Sequence, residues 1–113
     1  MSRAATVKAS LELEAAQRRR IEAEIGDAAC TSDAQCRTLP IGARSCGGPE
    51  SWMAWSVASG KADVLKALAD DLAVMQRQRN ERFGIMSTCQ VIPDPGAVCR
   101  DRRCVLRPRP LAN

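Results

Sequence analysis

Apolar and polar positions change period along this chain, and the changes mark its elements. Residues 10–25 are good helix formers, with Ser10 available as N-cap and Gly26 where a left-handed residue closes a helix. The apolar stripe of this first helix is thin. Leu11, Ala15 and Ile25 share a face with Arg18 and Glu22, so loose docking is expected. The strongest periodicity spans residues 61–83, where Leu65, Leu68, Leu72 and Met75 recur at three and four, opposite Lys66, Asp70, Arg77 and Glu81. Basic residues crowd its C-terminal half, as the helix dipole prefers, and Gly84 is positioned to stop it.

Between these helices, CTSDAQCR predicts one helical turn capped by Thr31 or Ser32, with Gln35 three residues after Ser32 as in a capping box. In CGGPESWMAWSVASG, Gly48 as N-cap, Pro49 at the first helical position and Glu50 in the first turn predict a short helix over residues 49–57. Such a helix stacks Trp52 and Trp55 on one side and ends at Gly60. After residue 84 the pattern turns to short β-prone runs at 88–92, 97–100 and 103–106, divided by PDPG and by Asp101-Arg102. Pro108 and Pro110 imply an extended, mobile tail. The organisation expected is a loosely docked N-terminal helix (1–26), a cysteine-rich helical domain with a C-terminal β-ribbon (27–107) and a tail (108–113). The fold class is mainly α with a small C-terminal β-ribbon, stapled by disulfides.

Composition explains why staples are needed. The apolar fraction is 45%, yet eighteen of those residues are Ala and only Trp52, Trp55 and Phe83 are aromatic, so large side chains for a core are few. Six cysteines supply cross-links. The residues between successive cysteines number five, nine, forty-two, nine and four, and the chain has no His, so neither C-x2-C pairs nor Cys/His sets mark a zinc or iron–sulfur site. The expectation is three disulfides in an oxidising compartment, periplasmic or secreted, and no cofactor. A cytosolic metal-binding protein with free thiols is an alternative.

Parity constrains the bridges. Cys30, Cys36 and Cys46 precede the long helix and Cys89, Cys99 and Cys104 follow it, so complete pairing requires at least one bridge across it. Six cysteines allow fifteen pairings. One crossing bridge plus one local bridge in each half is the arrangement expected.

The opening MSRAATVKASLELEAAQRRR contains no apolar run of the kind a signal segment carries, so export implies that such a segment has been removed. No stretch approaches the roughly 18 apolar residues of a membrane span. The net charge of +4 gives weak attraction to anionic surfaces. Arg18-Arg19-Arg20 reads as a solvated face paired with Glu14, Glu22 and Glu24. CRDRRCVLRPRP, with Arg100, Arg102, Arg103, Arg107 and Arg109, is the most basic patch, but no aromatic residues interleave for base stacking. Another protein, not nucleic acid, is the expected partner.

Catalytic residues are not expected. Without His there is no imidazole base, and G-x-S-x-G, H-E-x-x-H and phosphate-loop patterns are missing. The adjacent carboxylates Asp70 and Asp71 point about 100° apart on a helix and do not converge. CRTLPIGARSC suggests a second alternative: a serine-protease inhibitor presenting residues 37–45 between Cys36 and Cys46, with Arg37 or Arg44 filling a trypsin-like pocket and Pro40 stiffening the middle. Gly42 adds freedom, and a structural connection is the simpler reading. Candidate binding residues are Arg37, Arg44, Trp52, Trp55, Arg100, Arg102 and Arg103.

The succession CTSDAQCR, SCGGPESW, a long helix and MSTCQVIPDPGAVCRDRRCVL resembles small proteobacterial secreted or lipid-anchored cysteine-rich proteins of uncharacterised function, with a C-x5-C-x9-CGGP … C-x9-C-x4-C pattern. The resemblance covers about residues 21–107 and its most specific piece is CGGP with the cysteines around it. It implies export and disulfides, and it carries over no activity and no site residues.

Overall fold

Helix-forming residues continue N-terminal of Ser10, and in the computed structural model, which describes residues 3–86 and 89–108, the first helix α1 spans Arg3–Ile25 with Ser10 inside it. Gly26 closes it at φ 58°, its N–H donating to Glu22 O at 2.9 Å. The buried face is not the one centred on Leu11, which is exposed; Glu14, Gln17, Ile21 and Ile25 point inward at helical spacing.

The second helix α2, Ala62–Phe83, ends at Gly84 in the left-handed conformation, as the sequence pattern requires. It buries Leu65, Ala69, Leu72, Gln76, Asn80 and Phe83, a stripe that continues the leucines into two amides. α1 and α2 lie together. The joint is fastened by Arg79 Nε donating to Glu14 Oε2 at 2.6 Å and by Gln17 Nε2 donating to Leu68 O at 3.0 Å. Glu14 is buried and Arg79 nearly so, so loss of Arg79 strands the Glu14 charge. α1 is therefore docked more firmly than its thin apolar stripe implies. One of its arginines pairs across the fold as well: Arg18 meets Glu50 at 2.7 Å.

Two helices share the fold with two small antiparallel sheets, because a second ribbon stands where a helix is expected. β1 (Cys36–Ile41) pairs antiparallel with β2 (Ser51–Ser56), from Cys36↔Ser56 to Ile41↔Ser51. SWMAWS is rich in strand-favouring aromatics, and the CGGP segment supplies positive-φ glycines at Gly47 and Gly48 for a loop in place of a helix start. The cross-strand ladder decides between the two conformations. A capping turn at Asp33–Gln35 precedes β1, with Gln35 Oε1 accepting from the N–H groups of Thr31 (2.6 Å) and Ser32 (3.3 Å).

The C-terminal hairpin forms where the pattern places it: β3 (Ala97–Arg100) pairs with β4 (Arg103–Leu106). Asp101 and Arg102 both have positive φ, 53° and 64°, as a two-residue hairpin turn of the I′ kind demands. Residues 89–92 form no strand, and Thr88 lies outside the described residues.

All three disulfides cross between the halves: Cys30–Cys99, Cys36–Cys104 and Cys46–Cys89. The expected local bridges do not exist. The hairpin explains why, since Cys99 and Cys104 face each other across its ladder and present two adjacent sulfurs to the segment carrying Cys30 and Cys36. Backbone bonds seat the hairpin there, Cys104 N on Ala28 O at 2.8 Å and Cys30 N on Arg102 O at 3.0 Å. Asp33 adds a third contact, its Oδ1 accepting from Cys99 N at 2.7 Å. The main core joins Ile21 and Ile25 of α1, Leu39 and Ile41 of β1, Trp55 of β2 and Leu65, Ala69 and Leu72 of α2 to the half-cystines Cys30, Cys36 and Cys104.

Candidate functional site

The two tryptophans separate because of the strand. Three residues apart, they would share a helix face, but side chains alternate in a strand, so Trp52 and Trp55 take opposite sides. Trp55 is buried in the core, where its Nε1 has no hydrogen-bond partner among the described residues. Trp52 is half-buried and its Nε1 donates to Ile92 O at 2.9 Å. That bond pins an irregular segment, residues 89–95, across the outer side of β2.

The space between is a cleft of about 760 Å³, within the roughly 300–1,000 Å³ of ligand pockets. Trp52, Val91, Ile92, Pro93, Pro95 and Leu106 give it an apolar lining, and Arg44, Glu50, Ser51, Gln90 and Arg107 complete it. Asp94 fixes the proline-rich wall twice: Thr38 Oγ1 donates to its Oδ2 at 2.8 Å, and Gly96 N donates to its Oδ1 at 2.9 Å. Arg107 N in turn donates to Gly96 O at 2.9 Å, which holds the end of β4 against the same wall. Glu50 is engaged by Arg18, an ion pair of 2.7 Å at the edge of the cleft.

Of the candidate binding residues, the fold brings Arg44 and Trp52 together here. Trp55 belongs to the core. Arg100, Arg102 and Arg103 stand exposed at the hairpin turn, where Arg103 Nε donates to Asp27 O at 3.3 Å. Arg109 lies outside the described residues. Arg37 is exposed on β1, with Nη1 donating to Ala34 O (2.6 Å) and Cys36 O (2.9 Å).

The segment 37–45 is not one extended loop. Residues 36–41 are strand, and Cys36 and Cys46 are bonded to different partners. The turn after β1 is buried: Ala43 N donates to Gln76 Oε1 at 2.7 Å, and Asn80 Nδ2 donates to Ala43 O at 3.2 Å. Gly42, at φ 75°, packs against the Gln76 side chain, and a Cβ there would collide with it. This glycine permits a close approach; it does not loosen a loop.

Three sulfurs, of Cys30, Cys36 and Cys104, lie within 4.8 Å of one another. Each belongs to a disulfide, and no described cysteine is free, so the cluster offers no thiolate to a metal. Among the described residues, no helix is long and apolar enough to cross a membrane. Missing from the sequence reading were Ile92, Pro93, Pro95, Leu106 and Arg107 as one lining. PDPG signalled a turn, but nothing in the pattern says that the turn folds back over a tryptophan 40 residues earlier. No protein-family model matches the chain, and neither does any curated protein or solved structure.

Proposed function

We propose that this protein is a noncatalytic binding module of the periplasm or cell exterior, which takes an extended segment of a partner protein into the cleft over Trp52. The cleft itself carries the proposal. It combines an aromatic and proline lining with Arg44 and Arg107, while Glu50 is engaged by Arg18 and Asp94 is held in the wall by Thr38 and Gly96. The complementary ligand is a short peptide with apolar side chains flanked by acidic ones. Rigid Trp and Pro surfaces bind such segments at low entropic cost, and arginine supplies directional bonds to carboxylate. Three disulfides in a small domain favour an oxidising compartment and keep the cleft pre-formed.

Selection from a random phage-displayed peptide library tests this. The expected outcome is an apolar and acidic consensus whose affinity falls at least about tenfold for Arg107→Glu and for Val91→Asp, a loss of about 1.4 kcal/mol. No consensus, or one that binds wild type and both variants equally, contradicts the proposal.

A further inference from the structure

The three disulfides differ in access. Cys30, Cys36 and Cys104 are 4%, 6% and 6% exposed, so each hairpin bridge has at least one buried sulfur. Cys46 and Cys89 are both exposed. Exchange requires a thiolate to reach a disulfide sulfur, and exposed bridges are the labile ones. The position of this bridge matters as much as its access. Cys89 begins the wall of the cleft, next to Gln90 and Val91, which line it, whereas Ile92, Asp94 and Gly96 have their own bonds to Trp52, Thr38 and Arg107.

We infer that Cys46–Cys89 is a thiol-exchange site for a dithiol reductant, and that its opening releases Gln90 and Val91 from the cleft while the wall from Ile92 onward stays in place. In the first step a reductant thiolate attacks one sulfur of the bridge. The protein S–S bond breaks, a mixed disulfide forms, and the displaced sulfur leaves as thiolate and takes a proton. The second reductant thiol then attacks the mixed disulfide, closes the reductant's own disulfide and frees the remaining cysteine. Two electrons and two protons pass to the protein. The two hairpin bridges keep the ribbon attached throughout. A control over peptide binding rests on the cleft proposed above; the exchange chemistry does not.

The test is stepwise reduction of the oxidised protein with dithiothreitol, trapping with iodoacetamide and mapping of the modified cysteines by mass spectrometry, with thermolysin cleavage and hydrogen exchange measured in parallel. Cys46 and Cys89 are expected to be trapped at least about tenfold faster than the other four. Thermolysin cleavage between Gln90 and Val91 is expected to speed up, while amide exchange at 97–106 stays unchanged. Simultaneous opening of all three bridges, earlier opening of a hairpin bridge, or selective reduction with unchanged thermolysin cleavage at 90–91 overturns the inference. Cys46→Ser/Cys89→Ser gives a reductant-free comparison: it is expected to show the same cleavage and exchange pattern and a several-fold weaker affinity for the selected peptide. Selective reduction with unchanged peptide affinity overturns the control of the cleft. Absence of any peptide ligand bears on the cleft alone, since trapping, cleavage and exchange are read without one.

Discussion

The helical side of the molecule and the ribbon side are held by different physics. α1 and α2 meet through noncovalent contacts: Ile21, Leu65 and Leu72 fully buried, Glu14 bonded to Arg79, and Gln17 to Leu68 O. The hairpin β3–β4 is too short to stand alone and contributes few large side chains, and it is seated by Cys30–Cys99 and Cys36–Cys104. A sequence rich in Ala can make long helices with adequate seams; it cannot make small ribbons with adequate cores. Covalent bonds appear where apolar volume runs short.

Removing the covalent half of this comparison has the largest expected effect. Cys30–Cys99 closes a span of 69 residues, worth about 4 kcal/mol on the chain-entropy model. Once it is made, Cys36–Cys104 adds only the much smaller loop between two neighbouring bridges, roughly 3 kcal/mol. Full reduction therefore removes stability comparable to the about 5–15 kcal/mol of a whole domain. Circular dichroism in excess reductant is expected to show loss of the cooperative thermal transition. A reduced protein that melts unchanged breaks the comparison.

On the helical side the largest single loss belongs to the ion pair of buried Glu14 with Arg79. Arg79→Ala leaves Glu14 unpaired and is expected to cost about 3–5 kcal/mol in urea unfolding, while Arg79→Met with Glu14→Leu recovers most of it. Equal costs for the single and double replacements show that the pair is not what holds the seam. Gly42→Ala comes next, at about 2 kcal/mol, from a left-handed backbone and displacement of Gln76. The smallest effect is Lys66→Ala, which removes an exposed i,i+4 pair with Asp70 and is expected to change stability by less than about 0.5 kcal/mol.

The same division explains what the sequence made legible. Periodicity identifies both helices, and Gly84 marks the end of α2, because these are local signals that packing does not overrule. The Asp101-Arg102 turn and both strands beside it are equally local. β2 is misread because Gly48, Pro49 and Glu50 imitate a helix start, whereas the deciding interaction is a ladder with β1 that no local pattern records. The cleft follows from that error, since only a strand turns Trp52 away from Trp55. Parity requires at least one bridge between the halves, and the structure has three. The excess depends on Cys99 and Cys104 facing one another across the hairpin, a property of register.

Proteolysis of the native, unreduced protein followed by mass spectrometry of the linked peptides tests the pairing directly. Three species are expected, joining Cys30 to Cys99, Cys36 to Cys104 and Cys46 to Cys89. A peptide joining two cysteines of the same half, or one bearing a free thiol, contradicts the covalent seating of the ribbon on which the cleft depends.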